Sequence, residues 1–232
     1  MSVWAVLAAA GRGERFGGER PKAFERLGAY PLLAEPLRRL DDSDWIDWIV
    51  VAAPPGWEEP CIVLAEEFAV GKVAAVVTGG DTRAASVRAA LAEIPEDAAV
   101  VLVHDAARPL VSDELIGRLL APLSEGYEGA VPALPVCDTI KRVRGGEVVE
   151  TIERDGLVAA QTPQAFLADA LRRAADGEGT DCASLVEARG GRIKAVEGDP
   201  KLLKVTAPED LELISRWLAV PEPVPAVTPD DE

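Results

Sequence analysis

The sequence predicts a layered α/β domain built on a mostly parallel β-sheet. Two observations carry that reading. Short apolar runs rich in β-branched residues and bounded by glycine or proline alternate with longer segments whose apolar residues recur at helical spacing. The chain of 232 residues, 48% hydrophobic and 28% charged, can also bury a sizeable core, and at roughly 150 residues per domain one domain is favoured over two.

Val3–Leu7, Ile49–Ala53, Val73–Thr78 and Val100–His104 are too short for helices and read as buried core strands. Between them, Pro31–Leu40, Trp57–Phe68, Thr82–Ile94 and Asp113–Leu123 read as crossover helices, with Asp81 and Ser112 placed to cap two of them. The alternation breaks after Pro135. Thr139–Val143 and Val148–Ile152 flank Arg144-Gly145-Gly146-Glu147, a hairpin signal that predicts a projecting arm over about residues 136–156. Pro163–Ala175 and Asp181–Arg189 are predicted helices, and Arg192–Val196 is a predicted strand. Thr206-Ala207-Pro208-Glu209 has the form of a capping box that opens a last helix. Residues 1–220 therefore read as a single domain. From Pro221 to Glu232 proline and acid mix without any period, which predicts a disordered tail.

Composition excludes several classes. With 40 acidic and 24 basic residues the net charge is -16, which repels nucleic-acid phosphates and anionic lipid. No apolar stretch approaches the roughly 18 residues that span a bilayer, and no Lys or Arg precedes the apolar run at Met1–Ala10 as a signal peptide requires. Cys61, Cys137 and Cys182 form no C-x-x-C pair, so neither a disulfide framework nor a zinc ribbon is expected, and a reducing cytoplasm is the natural setting. His104 is the only histidine, which rules out a multi-histidine metal site.

The segment after the first strand, Leu7-Ala8-Ala9-Ala10-Gly11-Arg12-Gly13, continues through Arg15, Arg20, Pro21 and Lys22. Its glycines let backbone N–H groups approach an anion, and its four cations gather in an otherwise acidic chain. A polyanion is the expected guest, against the alternative of a solvated Gly-Arg surface loop. A Rossmann fingerprint needs glycine where Phe16 stands, and a Walker A loop needs glycine where Pro21 precedes Lys22.

At the end of the fourth strand, Asp105 is placed either as a Mg²⁺ ligand beside a triphosphate or as an ion-pair partner of Arg108. His104 is either a general base or, twice as readily, a hydrogen-bonded structural residue. Gly79-Gly80-Asp81-Thr82-Arg83-Ala84-Ala85-Ser86 joins a strand to its helix and can read a base edge, with Asp81 serving alternatively as an N-cap alone.

Taken together, the A-A-G-x-G-x-R start, Pro21-Lys22, G-G-D-x-R-x-x-S at 79–86, H-D-A-A-R-P at 104–109, Asp138-Thr139 and Thr162-Pro163-Gln164 resemble the 2-C-methyl-D-erythritol 4-phosphate cytidylyltransferases, the IspD family of the non-mevalonate isoprenoid pathway. The resemblance covers roughly residues 3–218. It implies a nucleotide-diphospho-sugar transferase-like, three-layer αβα sandwich. It also implies CTP and methylerythritol phosphate as substrates, Mg²⁺ or another divalent cation, and a cytoplasmic homodimer in which each hairpin arm reaches into the partner. Carried over by position, Ala9, Ala10, Gly11, Gly13, Gly80, Asp81 and Ser86 would bind the cytidine part. Arg15 and Lys22 would hold the triphosphate, Ala106 would bind substrate, and Asp105 would bind Mg²⁺. Arg108, Thr162 and Thr180, with Thr139 and Arg154 from the neighbouring arm, would position the acceptor. Lys204 would sit beside the reacting phosphate, with Lys201 the alternative.

The match has two departures. Leu202 stands where the family usually has asparagine, and Glu153-Arg154-Asp155 replaces Asp-Arg-x. The nearest rival is a ribitol 5-phosphate cytidylyltransferase, against which Ala107 counts, because those enzymes more often resemble H-D-A-V-R-P. From another class, a non-catalytic nucleotide-binding regulatory protein would keep the loop and lose turnover.

Overall fold

The computed structural model describes residues 2–11, 13, 16, 20–177 and 179–219. Arg12, Arg15 and the tail from Pro221 to Glu232 lie outside the described residues. Strand β1 (Val3–Ala8) is followed by a small hairpin, β2 (Arg26–Leu27) and β3 (Tyr30–Pro31), then α1 (Ala34–Asp41), β4 (Trp48–Ala53), α2 (Glu58–Glu67), β5 (Val73–Thr78), α3 (Arg83–Leu91), β6 (Val100–Asp105) and α4 (Asp113–Ser124). The second half contributes β7 (Gly129–Pro135), the hairpin β8 (Ile140–Arg144) and β9 (Glu147–Ile152), β10 (Val158–Ala160), β11 (Gln164–Leu167), α5 (Ala168–Ala174), α6 (Cys182–Ala188), β12 (Ile193–Glu197) and α7 (Pro208–Ala219).

The main sheet runs β5-β4-β1-β6-β11-β7. β5, β4, β1 and β6 are mutually parallel, whereas β11 runs antiparallel to both β6 and β7. β10 continues along the edge of β7 that β11 leaves, and β12 takes the other edge. A strand covered by helices on both faces needs apolar residues at every position, and Val3–Leu7 and Val100–Val103 supply them. Successive side chains therefore enter two separate cores. Leu7, Ile49 and Leu102 pack with Leu37 of α1, Leu64 of α2 and Leu115 of α4; Val6, Val50 and Val103 pack with Val87 of α3, Leu171 of α5 and Leu185 of α6. The result is the three-layer arrangement.

Pro31, read as the start of a helix, lies in β3 and α1 begins at Ala34, and four further details differ from the sequence reading. Pro163–Ala175 is not one helix: Gln164–Leu167 forms β11, and the helix begins at Ala168. β7 was hidden by Pro132 and Pro135, since proline withholds a ladder donor. Here Gln161 N–H donates to the Pro132 carbonyl (2.7 Å), so the missing donor of Pro132 falls opposite the break between β10 and β11. The cap of α3 is Thr82, whose hydroxyl accepts from Ala85 N–H (3.1 Å), and not Asp81; Ser112 caps α4 as expected. Before α7, Thr206 N–H and Ala207 N–H donate to the Asp210 carboxylate (2.6 and 2.9 Å), so the box closes on Asp210 and not on Glu209.

The β8–β9 hairpin pairs only with itself, apart from the main sheet. Val143, Val148 and Val149 are each more than half exposed on it.

Candidate active site

The carboxyl ends of β1, β5 and β6 open onto one cleft of about 210 Å³, the edge at which open α/β sheets bind ligands. Ala9, Ala10 and Gly11 line it from β1, Gly80, Asp81 and Ser86 from the β5–α3 connection, and Asp105 and Ala106 from β6; Lys22 and Lys204 complete it. The floor is backbone held close. A Cβ on Gly79 would collide with that of Ala10, and one on Gly80 would lie 2.5 Å from that of Ala85. The Ser86 hydroxyl, almost fully buried, accepts from Gly80 N–H (3.1 Å) and donates to the Thr82 carbonyl (3.0 Å), which ties the glycine loop to the start of α3.

Lys22 sits in a short 3-10 turn, Lys22–Phe24, anchored by the buried Ala23 and Phe24. Gly13, at φ +62°, lies against it: a Cβ there would meet the Lys22 Cβ at 2.7 Å. Lys22 Nζ donates to the Val205 carbonyl (3.1 Å). Lys204 stands between Leu203 and Val205, which pack together in a small core cluster, and its own side chain lines the cleft. Leu202 serves the core at the position where asparagine is usual, and its carbonyl accepts from Arg108 Nη1 (2.7 Å). Lys201 does not line the cleft; it borders a separate groove with Trp217.

Asp105 is the electrostatic centre. Its Oδ1 accepts from Arg83 Nε (2.9 Å) and its Oδ2 from Lys204 Nζ (2.7 Å). Burial alone would raise the carboxyl pKa, but Arg83 and Lys204 outweigh it and hold the group well below the usual carboxylate range. The ion pair considered with Arg108 is therefore made with Arg83 and Lys204 instead, and Arg108 turns to the Leu202 carbonyl. Arg83 was not singled out from the sequence, although a signal was present. It is the first residue of α3, where the helix dipole disfavours a cation, and its ion pair with Asp105 offsets that cost. Cys182 Sγ stands behind it at 3.2 Å from Nη1.

His104 is fully buried, its Nε2 2.9 Å from the Arg108 carbonyl and its Nδ1 3.2 Å from Thr162 Oγ1. Burial pushes its pKa down to about 4, so the ring is neutral at working pH and unreachable by a substrate. Thr162 is buried as well and does not line the cleft, nor does Arg108. Thr180 is exposed just ahead of the Asp181 cap of α6. Thr139 and Arg154 are exposed at the base of the arm, where Arg154 Nη1 donates to the Cys137 carbonyl.

Among the described residues the cleft thus carries Lys22, Arg83 and Lys204 against Asp81 and Asp105, an inversion of sign in a chain whose net charge is -16. Close backbone, convergent cations and a carboxylate kept ionised are the parts needed to move a phosphoryl group. The class this defines is nucleotidyltransferase.

Comparison with known proteins gives the same class and narrows it. Residues 3–219 match the family model of IspD, 2-C-methyl-D-erythritol 4-phosphate cytidylyltransferase. The 2-C-methyl-D-erythritol 4-phosphate cytidylyltransferase of Nocardia farcinica is 46% identical over 220 residues, 94% of each chain. That of Frankia casuarinae is 44% identical over 225 residues, 95% of this chain and 83% of its own. The crystal structure of the Thermus thermophilus enzyme superimposes with a TM-score of 0.75 at 35% identity, covering 93% of this chain and 98% of its own. The chain belongs to the IspD family.

Proposed function

We propose that this chain transfers CMP from CTP to 2-C-methyl-D-erythritol 4-phosphate, releasing pyrophosphate. The observation that carries the reading is the convergence of three parallel strand ends on a cleft whose backbone and cations suit a polyphosphate. In this reaction a phosphate oxygen of the acceptor attacks the α-phosphorus of CTP, and the bond to the β,γ-pyrophosphate breaks. The acceptor monophosphate has its second pKa at about 6 and is largely dianionic at neutral pH, so no general base is needed. A neutral, buried His104 is consistent with that. The remaining task is to align two anions that repel each other and to neutralise charge as it moves onto pyrophosphate.

Lys22, with Arg15, holds the triphosphate; Lys204 reaches the phosphate at which bonds change; Ala9 to Gly13, Gly80, Asp81 and Ser86 hold the cytidine part. Asp105 would hold a magnesium ion through its ionised carboxylate on the cleft by giving up a contact with Arg83 or Lys204, since magnesium takes only one or two protein carboxylates beside substrate phosphates. Among the described residues no three His, Cys, Asp or Glu gather into an all-protein cage, in keeping with that mode. When bound, such an ion supplies neutralisation of phosphate charge.

The chain acts as a homodimer whose arms are exchanged. Exposed valines on an isolated hairpin favour a partner surface, and Thr139 and Arg154 do not line their own chain's cleft, which suits a role in the neighbour's. The setting is the cytoplasm. The test is pyrophosphate release from CTP and Mg²⁺ with methylerythritol phosphate, beside ribitol 5-phosphate and a reaction without acceptor. Release with the first acceptor only is expected; release with ribitol 5-phosphate only, or with neither in a protein that binds CTP, overturns the assignment.

A further inference from the structure

We infer that Gln161 is a positioning residue: its side-chain amide clamps the backbone of Asp199 and thereby sets where Lys204 stands in the cleft. Lys204 comes from an irregular segment. β12 ends at Glu197 and α7 begins at Pro208, and no described residue between them belongs to a helix or strand. Such a segment has no ladder of its own, so the bonds it makes to the rest of the molecule place it. Downstream of Lys204, Val205 N–H donates to the Ala107 carbonyl (2.7 Å). Upstream, the pairing between β12 and β7 makes its last bond at Gly198, whose N–H donates to the Ala133 carbonyl (3.0 Å), and Gln161 takes over at the next residue.

The amide of Gln161 stands in for a peptide group. Its Nε2 donates to the Asp199 carbonyl (2.9 Å) and its Oε1 accepts from Asp199 N–H (3.0 Å). The orientation follows from the partners, because the carbonyl can only accept and the N–H can only donate. Gln161 is almost fully buried, and its own N–H donates to the Pro132 carbonyl (2.7 Å), so the clamp is anchored on β7. The chain keeps room for it: a Cβ on Gly198 would collide with Gln161 Oε1.

Asp199 is the residue at which the segment turns. Its carbonyl also accepts from Leu202 N–H (3.0 Å), and its carboxylate accepts from Lys201 N–H (2.8 Å). That turn delivers Leu202 to the core and, two residues on, brings Lys204 Nζ to 2.7 Å from Asp105 Oδ2. Gln161 does not itself line the cleft, so it acts through Lys204. The inference rests on the role given to Lys204 above.

The first test is independent of turnover: amide hydrogen exchange in wild type and in Gln161→Met, which keeps the length of the side chain and removes both bonds. The amides of Asp199 and Leu202 should be protected in wild type and exchange about tenfold or more faster in the variant, with those of β1 unchanged. An unprotected Asp199 in wild type, or an unchanged Leu202 in the variant, overturns the clamp. The second test is kinetic. A shift of about 1 Å in a catalytic group can cost a hundredfold, so Gln161→Met should lower kcat by about tenfold to a hundredfold with little change in KM for CTP. In a Lys204→Ala background the same substitution should cost less than about twofold further, because the group it positions is gone. An unchanged kcat, a raised KM alone, or losses that multiply would each contradict the inference. Should Gln161→Met fail to fold, Gln161→Glu, which loses only the bond to the Asp199 carbonyl, serves in the same comparisons. If no acceptor supports turnover, the proposed function fails while hydrogen exchange still decides whether Gln161 fixes the Lys204 segment.

Discussion

Lys22 and Lys204 carry the account at the scale of single residues. Each is held by buried neighbours on the chain, Ala23 and Phe24 for one and Val205, packed with Leu203, for the other. Removing a cation that is preorganised for a transition state typically costs a hundredfold or more in turnover. Lys22→Ala and Lys204→Ala are each expected to lose about that much kcat while keeping the wild-type thermal midpoint; near wild-type rates would remove either from the mechanism. His104 makes a separate prediction about stability. Burial holds its folded pKa at about 4, below the unfolded value of about 6.5. Between those limits the unfolded chain binds a proton that the folded one does not, so this contribution is constant above about pH 6.5 and erodes as the pH falls toward 4. The slope is about 1.4 kcal/mol per pH unit for one proton. Urea midpoints taken from pH 7 to 4.5 should fall more steeply for wild type than for His104→Asn. Much of this site was legible residue by residue, because glycine, lysine and aspartate in fixed spacing name their chemistry directly. Arg83 was not, since its meaning lies in a carboxylate 22 positions away that only the β5–β6 geometry brings to it.

Among the elements, β11 and the arm show where local pattern stops being informative. Gln164–Leu167 is an apolar run of four residues leading directly into a helix, and periodicity cannot separate so short a strand from the helix it precedes. Its identity is fixed by place, antiparallel between β6 and β7. Gly129 of β7 records that packing: a Cβ there would meet Phe166 Cδ1 at 2.5 Å and Ile193 Cδ1 at 2.8 Å. Gly129→Ala is expected to destabilise the fold by about 1–3 kcal/mol in denaturant titration, as overpacking does; an unchanged midpoint would mean that β11 can shift. The arm was legible because its turn glycines stand between two β-rich runs, and the structure places positive φ at both Gly145 and Gly146. If arms are exchanged, mixing Arg154→Ala subunits with Lys22→Ala subunits should restore activity to one site per mixed dimer. Absence of rescue at confirmed mixing would confine Arg154 to its own chain.

For the whole molecule, the parallel strands β5, β4, β1 and β6 do one thing that no loop could do alone. They bring the glycine loop, the β5–α3 connection and Asp105 to one edge and hold them there with two cores, one on each face. That half of the fold follows from the alternation of apolar runs and helical segments. The β7 half follows less directly, because its strands cross the sheet in both directions and one of them carries two prolines. The central claim is that this frame aligns two anions for a single direct displacement at the α-phosphorus, with cations and no covalent enzyme intermediate. The most direct measurement is the configuration at that phosphorus in the product formed from one diastereomer of CTP carrying sulfur on the α-phosphate. Inversion is the result the account predicts; retention would mean two displacements through a nucleotidylated side chain and would contradict it.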